Sequence, residues 1–402
     1  MAFYLFRKGI RKLPGDVIKA VTIPEPEVIQ GFGSRGQVGE ICKKAGFQSV
    51  LLVTDATLFE LGFYKKVQGS LRAQGIACSV FADICSEPTV DVIEKGKRQA
   101  LACEADCIVA LGGGSVLDSS KIIAASARHP QWHVTHYLKK FALVTKKTLP
   151  LITIPSTAGT GAEHTVGAVV KNARGVKTST VVVGLDVPNV ILDSELTVGA
   201  PQSVTVWCGI DALSHGLEGL LADVDSSAED IEKSRECVRL VFENLAVLLK
   251  EPRNIEARQK MSLAAFYGGN AINRQLAGYV HAFAHSIGGL YHIPHGEAIA
   301  YCLVPVVRAQ RGVCAEKLAA LSVFCGFADE HDSHPAAIDR LITALRQLLR
   351  HCGLPKGCAA LREQDYKKLT RLINFDSINY SPSKTFNDEE IHRLLEQIAK
   401  GD

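Results

Sequence analysis

The sequence predicts an α/β domain with a mostly parallel sheet, followed by an all-helical domain. Short apolar runs and helical stretches alternate in the first half of the chain, which is the pattern of repeated βαβ units. In the second half, apolar residues recur only at helical spacing. The two patterns meet at residues 193–197, so we expect the first domain over 1–195 and the second over 196–402.

Continuous apolar runs in the first domain predict strands that are buried on both faces. They occupy 49–54, 78–82, 106–111 and 149–154, and the run 180–192 holds one or two more strands. We expect helices between them over 56–74, 90–102 and 116–127, with Thr89 as the N-cap of the second. This alternation indicates a Rossmann-like sheet.

Helical periodicity continues through most of the second half, with short breaks that contain Gly or Pro. Helices are expected from residue 204 onward and over 231–249, 255–271, 281–290, 298–308 and 338–351. The polar stretch 329–335 predicts a loop between two of them.

The composition argues against several classes of protein. The chain has 45 basic and 42 acidic residues, and a net charge of +3 is too small to favour nucleic acid or an anionic membrane. No apolar run reaches the roughly 18 residues of a membrane span. The 12 cysteines form no Cys-x-x-Cys pair, so we expect a reducing, cytoplasmic location. The N-terminal segment is basic, with Arg7, Lys8, Arg11 and Lys12. We expect it to be an extension or an edge strand, and a transit peptide is the alternative.

Acidic and histidine residues recur in the second half at spacings that suit a metal site. Asp211 and His215 are four residues apart, as are His281 and His285, so each pair shares one face of a helix. His295 lies in a Pro-His-Gly turn. One carboxylate with three imidazoles can hold a divalent transition metal and leave a position open for substrate. A single Asp-x-x-x-His arises often by chance, but the combination within one apolar helical region favours a catalytic metal.

A glycine-rich loop, Gly-Gly-Gly-Ser at 112–115, joins a predicted strand to a predicted helix. Glycines let the backbone approach a pyrophosphate, and the helix N-terminus presents free amides to it. Asp118 and Lys121 follow in the first turns. The pattern is neither Gly-x-Gly-x-x-Gly nor a Walker loop, so a tight turn without a ligand is the alternative interpretation.

Two further loops after predicted strands could complete a nucleotide site. Asp55 follows the first strand, where an acid can bond the ribose diol and favour NAD over NADP; a helix N-cap is the alternative. The loop Pro-Ser-Thr-Ala-Gly-Thr-Gly at 155–161 offers hydroxyls and amides to a nucleotide, or is a plain connection.

Together these motifs resemble the iron-containing (group III) alcohol dehydrogenases, which are related in fold to dehydroquinate synthase. The matching segments lie at 112–121 (Gly-Gly-Gly-Ser-x-x-Asp-x-x-Lys), 154–163 (Ile-Pro-Ser-Thr-Ala-Gly-Thr-Gly-Ala-Glu), 211–219 (Asp-Ala-Leu-Ser-His-Gly-Leu-Glu-Gly) and 281–296 (His-Ala-Phe-Ala-His through Pro-His-Gly). Residues 311–402 fit only as generic helices.

The resemblance implies a role for each residue at a matching position. The metal ligands would be Asp211, His215, His281 and His295, with Fe(II) favoured and Zn(II) as the alternative. His285 would lie near the nicotinamide and the metal without being a ligand. Contacts with NAD, in preference to NADP, would come from Asp55, Gly113, Gly114, Ser115, Asp118, Ser156, Thr157, Thr160 and Lys177. We also expect a homodimer or higher homo-oligomer.

The implied reaction is hydride transfer between a small alcohol or aldehyde and NAD(P) in a cleft between the domains. The metal would act as a Lewis acid on the substrate oxygen, and His285 would relay the proton. Two alternatives stay open: a lyase of the dehydroquinate synthase type, and a non-enzymatic protein that retains an old nucleotide site.

Some residues depart from the family pattern or have no assigned role. Ile272 stands where several relatives carry an aromatic residue, and Arg274 and Gln275 replace smaller or amide residues. Arg274 could bind an acidic carbonyl substrate. The alternative is that it lies on the helix surface without a role in binding. His129, His133 and His136 resemble a metal cluster only superficially.

Overall fold

The computed structural model describes residues 25–138, 147–172, 177–182 and 184–401. These residues form two compact units, of which one ends at Ala200 and the other begins at Pro201. The basic N-terminal residues discussed above lie outside the described part of the chain.

The first unit is built on a six-stranded sheet in which all the paired neighbours are parallel. Its strands are β1 (Glu27–Gln30), β2 (Ser49–Asp55), β3 (Ala77–Ile84), β4 (Cys107–Gly112), β5 (Leu151–Pro155) and β8 (Asn189–Leu192). Their order across the sheet is β3-β2-β4-β5-β8-β1. A separate antiparallel pair consists of β6 (Gly167–Lys171) and β7 (Lys177–Val181). Every residue of β4 is buried, as expected for a strand covered on both faces.

Five α-helices of this unit lie in the described residues: α1 (Val38–Ala45), α2 (Ala56–Glu60), α3 (Tyr64–Ala73), α4 (Val90–Ala102) and α5 (Gly114–Ala127). The single helix predicted over 56–74 is therefore two helices. The chain turns between them at Gly62, whose φ of 76° is a left-handed conformation that glycine adopts without a steric penalty. Thr89 is the N-cap residue of α4 as predicted, but its side chain makes no capping hydrogen bond.

The three polar loops singled out in the sequence follow β2, β4 and β5, which are neighbours in the sheet. Asp55 ends β2, Gly112 ends β4 and Pro155 ends β5. Because the strands are parallel, all three loops leave the same edge of the sheet, which is where ligands bind in open α/β sheets.

The second unit is helical. Its α-helices are α6 (Gln202–Leu221), α7 (Ala228–Lys250), α8 (Ile255–Gln275), α9 (Tyr279–Tyr291), α10 (His295–Ala309), α11 (Ala315–Phe324), α12 (His334–His351), α13 (Tyr366–Asp376) and α14 (Asp388–Lys400). Helices α6, α7 and α8 pack on one another, and α9 packs on α10 and α13. The predicted fold class, an α/β unit with a parallel sheet followed by a helical unit, is confirmed. Among the described residues, no helix is long and apolar enough to cross a membrane.

Candidate metal centre and nucleotide loops

Helix α6 carries Asp211 and His215 on a segment that is buried on all sides, from Gly209 to Leu221. Their side chains are only 6% and 8% exposed. A carboxylate and an imidazole in such a segment lose the solvation of water, so each needs a partner inside the protein. The partners come from the next helices along the chain.

A single carboxylate oxygen, Oδ1 of Asp211, faces three imidazole nitrogens. It lies 3.6 Å from Nε2 of His215, 3.5 Å from Nε2 of His281 and 3.2 Å from Nε2 of His295. His281 is in the first turn of α9, and His295 is the first residue of α10, directly after Pro294. The rings of His215 and His281 stack with centroids 4.7 Å apart. Thus three helices bring four predicted ligands together.

The spacing of these atoms fits a metal ion better than it fits hydrogen bonds. Donors about 2.1 Å from one ion at tetrahedral angles are about 3.4 Å apart, which matches the separations above. Within the described residues, Asp211 Oδ1 and His281 Nε2 are buried and have no hydrogen-bond partner. The ligand atoms of Asp211, His281 and His295 all lie within 4.8 Å of one another. His215 joins this set through Asp211.

The electrostatics of the cluster also favour a cation. Burial raises the pKa of Asp211, but the imidazoles of His215 and His295 outweigh burial and hold that pKa well below its usual value. Burial lowers the pKa of His215 to about 4, which leaves the neutral imidazole that metals bind. Burial also lowers the pKa of His281, but the carboxylates of Glu218 and Asp211 reverse the effect and raise it to about 10. The two carboxylates therefore stabilise a positive charge at the position of His281.

The cluster is open on one side. The side chain of His295 is 42% exposed, whereas those of Asp211 and His281 are almost fully buried. The exposed ring of His285 lies beside His295, with centroids 5.2 Å apart. A ligand or substrate could therefore approach the cluster past these two imidazoles.

Sequence reasoning assigned no role to two acidic residues that contact the histidines. The buried carboxylate of Glu218 contacts Nδ1 of His281 and accepts a hydrogen bond from the backbone N–H of Val280 at 2.6 Å. Asp376 Oδ2 is 2.9 Å from Nδ1 of His285. Glu218 follows Asp211 by two helical turns and could have been found from that spacing, whereas Asp376 lies in a segment without a motif.

In the α/β unit, the glycine loop and the loop at 155–161 are in contact. A Cβ on Gly113 would come within 3.5 Å of the Thr157 side chain, and one on Gly114 within 3.3 Å of the Thr160 side chain. The N–H of Ser156 donates to the carbonyl of Gly112 at 3.0 Å. Helix α5 has no side-chain capping hydrogen bond at its N-terminus. The two loops thus border the helix end that the sequence predicts as a phosphate cradle.

The other predicted cofactor residues have partners within the protein. Asp55 caps α2 by accepting from the N–H of Leu58 at 2.9 Å, and Ser115 donates to the carbonyl of Ser86 at 2.7 Å. Asp118 pairs with the buried Lys121 through Oδ1 and accepts from the N–H of Val169 through Oδ2. Lys177 begins β7, and its side chain lies outside the described structure.

The remaining candidates have structural partners. The rings of His129 and His136 pack on Trp132 at 4.5 and 4.3 Å. The buried Gln275 hydrogen bonds with the hydroxyls of Ser234 and Ser226.

Comparison with known proteins identifies the family. Residues 25–193 match the family described as iron-containing alcohol dehydrogenase, and residues 205–399 match the Fe-containing alcohol dehydrogenase family, C-terminal. The chain is 31% identical to the 1,3-propanediol dehydrogenase of Citrobacter freundii, over 90% of this chain and 94% of that protein.

A second relative is much longer than this chain. The chain is 29% identical to the bifunctional aldehyde-alcohol dehydrogenase AdhE of Escherichia coli (strain K12), over 83% of this chain but only 40% of that protein. Among solved structures, the sulfoacetaldehyde reductase of Bifidobacterium kashiwanohense in complex with NAD+ superposes with a TM-score of 0.86. Its identity is 25%, and the match covers 95% of this chain and 99% of that one. The chain belongs to the iron-containing alcohol dehydrogenase family.

Proposed function

We propose that the protein is a metal-dependent, NAD-linked alcohol dehydrogenase that also catalyses the reverse reduction of an aldehyde. The observation that carries the proposal is the convergence of three imidazole nitrogens on Oδ1 of Asp211, with one side open. Four protein donors alone could close the shell of a structural zinc site. The exposed side of this cluster at His295 leaves room for a substrate as an additional ligand, as a catalytic site requires.

We assign the metal ligands as Asp211, His215, His281 and His295. When bound, the metal would be a Lewis acid that lowers the pKa of the substrate alcohol toward neutral pH. Fe(II) is favoured by the family, and Zn(II) suits the same nitrogen and oxygen donors. The chain itself supplies the buried negative charge of Asp211 and the three imidazole nitrogens that face it.

We assign the proton transfer to His285. Its exposed ring is close to His295, and the hydrogen bond between its Nδ1 and Asp376 leaves Nε2 available for a substrate proton or water. An imidazole suits this role because its ordinary pKa lies near neutral pH. Burial lowers the pKa of His285 below that ordinary value, and the carboxylate of Asp376 acts in the opposite direction. Asp376 keeps the ring in one orientation.

The α/β part, residues 1–195, would bind NAD, and residues 196–402 would hold the metal. The proposed NAD contacts are Asp55, Gly113, Gly114, Ser115, Asp118, Ser156, Thr157, Thr160 and Lys177. Two observations support them: the loops leave one edge of the parallel sheet, and the sulfoacetaldehyde reductase neighbour was solved with NAD+. NAD, when bound, supplies the hydride acceptor.

The substrate is proposed to be a small alcohol or diol, because the Citrobacter freundii relative is a 1,3-propanediol dehydrogenase. An acidic aldehyde is the second candidate, since the Bifidobacterium kashiwanohense neighbour is a sulfoacetaldehyde reductase. All 12 cysteines are free, which fits the proposed cytoplasmic location. We further propose a homodimer or higher homo-oligomer.

The test is anaerobic reconstitution of the purified chain with Fe(II) or Zn(II), followed by a screen of short alcohols, diols and hydroxy acids with NAD or NADP. We expect metal-dependent formation of NADH with at least one alcohol. Net NADH formation separates this activity from a lyase that uses NAD without consuming it. Stoichiometric metal with no NADH from any of these substrates would contradict the proposal.

A further inference from the structure

We propose that Glu218 is a positioning residue that fixes His281 in the tautomer able to bind the metal. The inference rests on the proposed metal site and extends it to a residue outside the ligand set. It is carried by the contacts of one buried carboxylate with two neighbours on α9.

Glu218 joins α6 to the first turn of α9. Its side chain is fully buried, and each of its two oxygens has a partner. Oε1 accepts the backbone N–H of Val280 at 2.6 Å, and Oε2 contacts Nδ1 of His281. A Cβ at Gly278 would meet Oε1 at 2.8 Å, so the glycine before α9 leaves room for this carboxylate.

The contact determines which nitrogen of His281 carries hydrogen. An ionised carboxylate can only accept, so Nδ1 must be the donor. A metal binds only the neutral imidazole, and with the hydrogen on Nδ1 the lone pair of that form lies on Nε2, the atom 3.5 Å from Asp211 Oδ1. Nε2 is buried and has no hydrogen-bond partner among the described residues. Carboxylates that hold a metal-binding histidine in this way raise its basicity and fix its ring.

The variant Glu218→Gln tests the inference because it changes the chemistry of this position and little of its shape. To accept from Val280, the amide must turn its NH2 group toward His281 Nδ1, which then has to become an acceptor. The hydrogen moves to Nε2, and this nitrogen loses the lone pair that binds metal. In the opposite orientation of the amide, its NH2 group would face the N–H of Val280. Both groups are donors, so that hydrogen bond would be lost.

The measurement is the affinity of the full chain for Zn(II) and Co(II), by competition with a chromophoric chelator. We expect Glu218→Gln to weaken binding by about 10- to 100-fold. The matched control is Glu236→Gln, which removes a surface carboxylate paired with Arg239 and should leave affinity unchanged. In a His281→Ala background, Glu218→Gln should cause no further loss. Equal affinities of folded Glu218→Gln and wild type would overturn the inference.

A second measurement does not depend on the folding of the variant. In wild-type protein with 15N-labelled histidine and bound Zn(II), the His281 ring, assigned by comparison with His281→Ala, should carry its hydrogen on Nδ1. Hydrogen on Nε2 would overturn the proposal for Glu218. Wild-type protein that binds neither metal would contradict the proposed metal site itself, which is a different and recognisable failure.

Discussion

His285 and Asp376 are 91 residues apart in the sequence, yet Nδ1 of the imidazole lies 2.9 Å from Oδ2 of the carboxylate. His285 is one turn after His281 on α9, and Asp376 is the last residue of α13. The hydroxyl of Tyr380 donates to the same carboxylate oxygen at 3.2 Å. The proposed proton carrier is therefore held by a carboxylate that is itself held by a tyrosine.

Replacing His285 separates proton transfer from metal binding. His285→Gln should keep the metal and the affinity for NAD, because the four proposed ligands are untouched. Turnover should fall by roughly 100-fold or more, the usual loss of one acid–base group. Metal analysis and steady-state kinetics on the same preparation measure both. If the variant purifies without metal, His285 is a ligand and the assignment of the other histidines is wrong.

Removing the charge of Asp376 should affect activity through His285. In Asp376→Asn, the amide can still contact Nδ1, but it no longer stabilises a positive imidazole. We expect turnover to fall by about 10- to 100-fold, less than on removal of the imidazole itself, with the metal retained. The pH dependence of turnover should change as well, whereas a loss of packing alone would not alter it. The comparison variant is Asp339→Asn, which removes a carboxylate paired with Arg311 and should retain wild-type kinetics.

Loss of one proposed ligand should remove the metal. His281→Ala deletes the imidazole whose Nε2 faces Asp211, and it removes one partner from each of the buried carboxylates of Asp211 and Glu218. Metal content and activity should fall together. Elemental analysis against His351→Ala, an exposed histidine at the end of α12, is the measurement. Full metal occupancy with unchanged turnover would remove His281 from the site.

The sequence predicted the elements whose pattern is local. The buried strands, the glycine loop and the histidine spacings all lie within short segments. The structure contains the predicted strands and helices, except that the helix predicted over 56–74 is two helices. The sequence analysis did not predict β1, none of whose four residues is buried, or the hairpin formed by β6 and β7, because neither has a long continuous apolar run. The pairing of His285 with Asp376 depends on how α9 and α13 pack, which no local spacing encodes.

The choice between NAD and NADP tests the second role proposed for Asp55. One carboxylate oxygen caps α2 through Leu58, so the same residue can be a cap and still repel a 2′-phosphate. Asp55→Ser should keep a capping oxygen while it removes the charge, and we expect relative use of NADP to rise. The ratio of kcat/KM for the two cofactors measures this. A several-fold preference of wild type for NADP would leave Asp55 as a cap alone.

The buried carboxyl of Glu163 should make the stability of the α/β unit depend on pH. Burial raises its pKa from the ordinary 4.5 to about 7, although a hydrogen bond with its own backbone and the charge of Lys121 act in the opposite direction. Among the described residues, Oε1 of Glu163 has no hydrogen-bond partner, so nothing on that atom compensates for ionisation.

The sign of the effect follows from where each state holds its proton. Below pH 4.5 the carboxyl is protonated in both the folded and the unfolded chain, and it carries no penalty. Between pH 4.5 and 7 the unfolded chain releases the proton while the folded chain retains it, so the free energy of unfolding falls as pH rises. Above pH 7 both states are ionised and the penalty is constant, on the order of 3 kcal/mol at about 1.4 kcal/mol per tenfold change in the equilibrium.

Glu163→Gln removes this dependence because its side chain does not ionise. Relative to wild type, the variant should gain stability steadily from pH 4.5 to pH 7 and show no further gain above pH 7. Urea unfolding with excess chelator, at a series of pH values, measures the difference without a contribution from metal binding. The control is Glu94→Gln, because burial raises the pKa of Glu94 but its hydrogen bonds and Lys97 lower it overall, which places its effect below pH 4.5. A difference between wild type and Glu163→Gln that stays constant from pH 4.5 to pH 8 would show that Glu163 is ionised in the folded protein throughout this range.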